Sequence, residues 1–224
     1  MIALPSGGIA GGDLYALFSC GEARYARIVL ADATGHGFSA SGVATHIHGL
    51  LHRYSDVRDT AGLLAALNES FVLGEDPASQ LRLSTVVTAT FDRLSGEFNY
   101  AYAAHPHLLH WSALDARWQP LGVGMEGLPL GAIAGVSYSQ QSIRLLHGDI
   151  VLAFSDALTE VESPGGTPLT SEGFTRLANA LMQGPSVPPS LNGFCQLLLR
   201  DVAHYHGSTQ FQDDLTMLAL RRLP

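Results

Sequence analysis

Lysine is missing from the chain altogether, so its 12 cationic side chains are all arginine, set against 20 acidic ones and a net charge of −8. Nucleic-acid backbones are bound by clustered basic side chains, and this balance argues against such a partner. Cysteine is nearly as scarce. Cys20 and Cys195 cannot build a disulfide framework, and nothing asks for an oxidising compartment. No apolar run reaches the roughly 18 to 20 residues that a membrane span requires. The opening Met1-Ile2-Ala3-Leu4-Pro5 also lacks the basic and apolar segments of a signal peptide. A soluble cytoplasmic protein with no membrane contact is the expectation. Internal repeats and low-complexity stretches are absent, and the one linker-like tract, Pro185-Ser186-Val187-Pro188-Pro189, merely separates two helical patterns. One domain over residues 1–224 is therefore expected, its 46% apolar residues enough for a full hydrophobic core.

What is present is a set of short acidic motifs spread along the whole chain: Gly11-Gly12-Asp13, Asp32-Ala33-Thr34-Gly35-His36-Gly37, Ser155-Asp156-Ala157 and Asp213-Asp214-Leu215-Thr216. Each follows or opens an apolar run, so its carboxylate falls at a strand end. Carboxylates gathered there repel one another, at ~4 Å by about 1 kcal/mol per pair in water and about 4 near a protein surface. A proton on one carboxyl or a hard divalent cation between them is the usual remedy.

The intervening pattern is mixed. Strand-like runs at 14–18 and 27–30 predict a hairpin, which brings Asp13 and Asp32 to the same end, because the start of one antiparallel strand faces the end of the next. Ala40, Val43, Ala44, Ile47, Leu51 and Tyr54 then recur at helical steps. A second helix follows, with Thr60 as its cap, an apolar face of Leu63, Leu64, Leu67 and Phe71, and Gly74 as its end. A hairpin over 83–91 and 97–103 places Phe98, Tyr100 and Tyr102 on one face. Shorter strands are expected at 108–111, 137–145 and 149–154. Helical patterns through Phe174, Leu177 and Leu181 and through Leu191, Phe194, Leu198, Val202 and Tyr205 precede a last strand at 215–220. Strand runs punctuated by helix pairs point to an antiparallel α+β domain and away from a doubly wound sheet.

These motifs carry a resemblance. In order and spacing, the four acidic motifs resemble the PPM family of metal-dependent serine/threonine protein phosphatases, together with Thr85-Val86-Val87-Thr88, Ala104-His105-Pro106, Leu130-Gly131, Gly148-Asp149 and Leu158-Thr159-Glu160. More narrowly they are similar to its bacterial branch, typified by the stage II sporulation protein E and the RsbU stress regulators. The resemblance implies a four-layer αββα sandwich, two antiparallel sheets flanked by helix pairs, and two Mn²⁺ or Mg²⁺ ions. Asp32 would bridge the ions, the backbone carbonyl of Ala33 would add an oxygen, and Asp13, Asp156 and Asp213 would supply the other carboxylates. An all-oxygen set suits such hard cations, whereas zinc or copper calls for His or Cys. Between Asp213 and Asp214 the family motif favours the first as ligand and the second as a loop support.

The implied chemistry is hydrolysis of a phosphoserine or phosphothreonine monoester by a metal-activated water, with an anti-sigma-factor antagonist as the substrate and an N-terminal receiver or sensory domain in the full-length protein. His36, beside the metal motif, is a candidate to protonate the leaving group; packing is its other reading. The sequence departs from the family in placing Ala104 and Ala157 where glycine is usual, and a methyl group there can demand a different backbone angle. With only ten residues ahead of Gly11, the strand and linker that precede this point in larger relatives are expected to be mostly missing, as in an excised catalytic domain.

Other readings fare worse. His48 and His52 have the spacing of a zincin helix, but Gly49 stands where the catalytic glutamate must follow the first histidine. Gly11-Gly12-Asp13-Leu14 echoes a diguanylate cyclase signature and then breaks it at Leu14. From a different class comes a catalytically silent phosphatase-like adaptor that binds a signalling protein. Retention of every expected carboxylate position favours the enzyme.

Overall fold

The alternating run that begins at Asp13 pairs with the run that ends at Ala33, as the hairpin reading requires. A computed structural model describes residues 2–4, 12–20, 24–33, 38–73, 83–184 and 190–223. In chain order the strands are β1 (Ile2–Leu4), β2 (Asp13–Cys20), β3 (Tyr25–Ala33), β4 (Ser84–Asp92), β5 (Glu97–Ala103), β6 (Leu109–Ser112), β7 (Arg117–Pro120), β8 (Gln140–Arg144), β9 (Ile150–Phe154) and β10 (Leu215–Arg221). The helices are α1 (Phe38–Arg53), α2 (Thr60–Val72), α3 (Thr170–Gln183) and α4 (Leu191–His206). All strand pairs within the two sheets are antiparallel and the class is α+β, as expected.

The chain forms two compact units. The first, Ile9–His105 with Gly122–Leu145, carries the sheet β2-β3-β4-β5-β8 and helices α1 and α2. Its core is the meeting of Val43, Ile47 and Leu51 of α1, and Leu63, Leu64, Leu67 and Phe71 of α2, with Val29, Ala31, Val86, Ala101 and Ala103 of the sheet. Each large apolar side chain so buried is worth about 1.5–3 kcal/mol. Small residues on the sheet face let the helices lie close, while Phe98, Tyr100 and Tyr102 alternate onto the other face of β5 and are equally buried.

The second unit, Met1–Gly8, Pro106–Leu121 and Leu146–Pro224, carries the sheet β1-β10-β9-β6-β7 with α3 and α4. Aromatic contacts dominate its core: Phe154 meets Phe174 with ring centroids 4.5 Å apart, and Trp118 stacks on Phe194 at 5.2 Å. Helix α4 is capped at both ends, by the Ser190 hydroxyl, which accepts from the Gly193 N–H, and by Gly207 at φ 77°.

Several expectations are corrected. Asp59, and not Thr60, caps α2, its carboxylate accepting from the Gly62 N–H at 2.5 Å. Thr60 is buried instead and donates from its N–H and hydroxyl to Gln140 Oε1. The short strand Ile2–Leu4 was not foreseen; it pairs with β10 through Ile2↔Met217 and Leu4↔Leu215. Strand β7 was not foreseen, and β8 is shorter than the predicted 137–145. Gly74 and residues 185–189 lie outside the described residues.

Candidate metal centre

Asp13 and Asp32 sit directly opposite each other in the β2–β3 register, and Thr85 lies opposite Asp32 on β4. Directly opposed residues of an antiparallel ladder share a face. The three side chains therefore form one row across three strands of the first unit. A bond from the Ala33 N–H to the Gly12 carbonyl, 3.3 Å, continues the pairing one step beyond Asp13. Ser84, wholly buried, donates its hydroxyl to the Asp32 carbonyl at 2.7 Å. Ser84 is itself clamped to Leu130 by two backbone bonds of 2.8 and 3.1 Å. The Leu130-Gly131 motif is held in turn by Asn68 of α2, which accepts from the Gly131 N–H and donates to the Ile133 carbonyl. A chain of contacts thus runs from α2 to the Asp32 backbone. Neither Ser84 nor Asn68 was singled out from sequence, although an asparagine between Leu64, Leu67 and Phe71 on an apolar helix face was a readable sign. Ala33 is buried at the end of β3; residues 34–37, His36 among them, lie outside the described residues.

Thr85 is also tied to the next motif. Its hydroxyl lies 2.8 Å from Nδ1 of His105, an imidazole only 4% exposed. Ala104, just before it, has φ 56°. The left-handed region costs a residue with a Cβ roughly 1–2 kcal/mol, so the substitution for glycine keeps the glycine conformation at the expense of strain. The Ala104 N–H is meanwhile bonded to the Glu126 carbonyl at 2.6 Å. Ala157 is different: it is buried in the short 3-10 turn Asp156–Leu158 without a positive φ.

Asp156 and Asp213 belong to the second unit. Asp156 follows Ser155 at the end of β9 and opens the 3-10 turn, its carbonyl accepting from the Thr159 N–H at 2.7 Å and the Glu160 N–H at 2.9 Å. Ser155 stitches this end of β9 to β10, donating to the Asp214 carbonyl and accepting from the Thr216 N–H. Asp213 is exposed, whereas Asp214 is buried, and the Asp213 carboxylate accepts from the Asp214 N–H at 2.8 Å. Burial, then the negative charges of Glu160 and Asp213, pushes the Asp156 carboxyl up to about 6. A cavity of about 510 Å³ lies beside them, lined by Ala157, Glu160, Val161, Glu162, Asp213 and others.

Asp13 and Asp32 thus lie in the first unit, and Asp156 and Asp213 in the second. Taken pair by pair, such oxygen donors suit hard divalent cations rather than softer metals. Among the described residues no group of three or more His, Cys, Asp or Glu side chains is placed to hold a metal ion. His48 and His52 pack edge to face on the exposed side of α1. The Gly148-Asp149 motif serves the fold: buried Asp149 accepts from His110 Nε2 and from the backbone N–H groups of Ala113 and Leu146. No helix among the described residues is long and apolar enough to cross a membrane.

Comparison with known proteins gives consistent results. The family model of stage II sporulation protein E (SpoIIE) matches residues 22–223. Asp13 precedes that match. The RsbU and RsbW domains of a Mycobacterium tuberculosis protein are similar with a TM-score of 0.75 and 28% identity, over 96% of this chain and 56% of that one. The SiaA PP2C domain of Pseudomonas aeruginosa gives a TM-score of 0.80 at 20% identity, covering 98% and 84% of the two chains. RsbX in complex with magnesium gives 0.65 at 15% identity, covering 97% and 91%. The chain spans little more than half the length of the first of these proteins.

Proposed function

The chain belongs to the stage II sporulation protein E family and has the PP2C phosphatase fold, and from that premise we propose that it is a metal-dependent protein phosphatase acting on phosphoserine or phosphothreonine. Asp13, Asp32, the Ala33 carbonyl, Asp156 and Asp213 would hold two Mg²⁺ or Mn²⁺ ions. The observation that carries this reading is the Asp13↔Asp32 register. Two like charges directly opposite on a ladder destabilise the sheet, and a divalent cation shared between them would offset that. The magnesium complex of RsbX supports a metal-dependent reading.

When bound, the ions supply a water of lowered pKa for in-line attack on phosphorus and neutralise charge on the phosphoryl oxygens. The protein's own part is to hold the ligands still. Strand pairing fixes Asp13 against Asp32, Ser84 fixes the Asp32 backbone, and the Ser155 bonds fix the approach of Asp156 and Asp213. In keeping with the RsbU branch, the substrate is a phosphorylated anti-sigma-factor antagonist, an N-terminal receiver or sensory module supplies control, and the protein works in the cytoplasm.

Release of phosphate from a phosphoserine protein, measured with and without Mn²⁺, tests the reading. Turnover that needs Mn²⁺ and vanishes in Asp32→Ala supports it. Binding of the phosphoprotein without metal-dependent turnover above Asp32→Ala would establish the silent adaptor in its place.

A further inference from the structure

Resting on the reading of this chain as a protein phosphatase, we propose that a groove on α4 docks a segment of the phosphoprotein substrate that carries apolar side chains and at least one carboxylate. The groove, of about 970 Å³, lies wholly in the second unit, between the C-terminal half of α4 and residues 207–211. Helical geometry builds it. Gln196, Arg200 and His204 recur at four-residue steps and stand in one row, with Leu199 and Ala203 in the row beside them. Gly207 then takes a left-handed φ of 77°, which ends the helix and turns the chain. Phe211 comes back against α4, its ring stacked on His206 with centroids 6.0 Å apart. Leu199 and Phe211 are half-buried against the core of the unit, and with Ala203 they give the groove its apolar stretch.

Shape, charge and position select the occupant. From Gln196 to His204 the row covers roughly 12 Å at about 1.5 Å per residue, the reach of about four residues of extended chain. Most of the lining residues are exposed, which makes the groove shallow; small ligands are instead held in clefts that cover most of their surface. Its charge runs against that of the chain. Among the described residues that line it none is acidic, while Arg200 and His204 are present, on a protein with a net charge of −8. Arg200 does meet Asp201, through Nε at 3.3 Å and Nη2 at 3.2 Å, with the arginine side chain 68% exposed. An exposed pair of that kind contributes little, and the planar guanidinium can turn to a partner's carboxylate. Position ties the groove to the reaction, because Phe211 also lines the 510 Å³ cavity that Asp213 lines. A segment lying along α4 therefore leads across Phe211 toward Asp213. Binding energy from such a remote part of a substrate can serve the reacting part.

The probe is a short fluorescein-labelled peptide rich in leucine and glutamate, titrated into the full chain and read by anisotropy. Wild type is expected to bind it, less tightly as salt rises. Arg200→Glu reverses the charge of the groove and Ala203→Trp fills it; each is expected to weaken binding by roughly tenfold or more. Arg176→Glu, on the exposed side of α3, makes the same change in net charge away from the groove and is expected to bind as wild type does. Near-ultraviolet circular dichroism checks that each variant is folded. Turnover then assigns the role. On a phosphoserine peptide extended by the same segment, Arg200→Glu is expected to raise KM with kcat unchanged, and to hydrolyse p-nitrophenyl phosphate, which has no flanking chain, as wild type does. A segment that does not bind, or that binds wild type, Arg200→Glu and Ala203→Trp equally, overturns the proposal; hydrolysis of p-nitrophenyl phosphate by the same protein leaves the phosphatase reading standing. Equal wild-type KM values for extended and unextended phosphopeptides also overturn it. Binding of the segment by a wild type that hydrolyses neither phosphoester removes the phosphatase reading and, with it, the substrate role of the groove.

Discussion

Asp13 and Asp32 are directly opposed residues of the β2–β3 ladder. Opposed like charges weaken a sheet by about 0.2–1 kcal/mol. Asp13→Asn is therefore expected to have two effects of opposite sign. In metal-free protein the thermal midpoint rises by roughly 0.4–4 °C, the shift such an energy produces in a chain of this size. With Mn²⁺ the order reverses, because wild type gains about 2.7 kcal/mol at a hundredfold excess over its dissociation constant and the variant gains much less. Differential scanning fluorimetry with and without Mn²⁺ checks both. A variant destabilised in both conditions would show that Asp13 is a packing residue.

That pair was readable from the order of residues because it depends only on local pattern: two apolar runs, a short connection, and the geometry of antiparallel pairing. The amphipathic faces of α1 and α2 were readable for the same reason. The partners of Ser84, Asn68 and Thr60 were not, since each meets its partner far away in the chain, at Asp32, Gly131 and Gln140. Strands β1 and β7 are too short, at 3 and 4 residues, to show a period and form only because β10 and β6 present edges to them. At the cap of α2, Asp59 and Thr60 are both good capping types. Only the bond between Thr60 and Gln140 decides which one is left to cap the helix.

Arg24 clamps Asp92 at the start of the β4–β5 turn, with Nε 3.2 Å from both carboxylate oxygens and Nη2 2.6 Å from one. The same carboxylate accepts from the Leu94 and Ser95 N–H groups. The guanidinium, followed by these backbone donors, holds Asp92 well below the usual carboxylate range. A carboxyl depressed in the folded state contributes stability that is full above its unfolded value and is lost as the pH falls toward its folded one. Arg24→Gln is accordingly expected to lower the melting midpoint at pH 7, with the gap to wild type narrowing below about pH 4. What remains at low pH reports the stacking of Arg24 on Tyr25, 5.0 Å from ring centroid to guanidinium carbon. A gap that does not change with pH would show that the ion pair adds nothing.

Asp156 gives a pH dependence of the opposite kind. Its carboxyl, raised to about 6 by burial and by Glu160 and Asp213, binds a proton more tightly in the folded chain than in the unfolded one. Metal-free protein therefore holds the associated stability in full below about pH 4 and loses it as the pH climbs through 6. The effect is on the order of 1–2 kcal/mol once solvent screening is allowed for. Urea denaturation between pH 4.5 and 7.5, with a chelator present, should show stability falling with pH in wild type and a flatter profile in Asp156→Asn. Equal slopes would assign the loss to other groups.

Ala104 offers the cleanest test of strain, because its conformation and its methyl group make opposite demands. At φ 56° the Cβ is unfavourable by roughly 1–2 kcal/mol. Replacing it with glycine relieves that and gives back about 0.5–1 kcal/mol through the greater freedom of the unfolded chain. The net expectation for Ala104→Gly is a change between zero and about +1.5 kcal/mol in stability, where an alanine-to-glycine change in a strand ordinarily destabilises. Ala101→Gly is the matched control: it lies three residues earlier on β5, is fully buried, and has no positive φ. It is expected to lose at least about 0.5–1 kcal/mol. Equilibrium urea unfolding of the two variants beside wild type separates them. Equal losses would mean that the backbone before His105 is relaxed, and that the imidazole reaches Thr85 without stored strain.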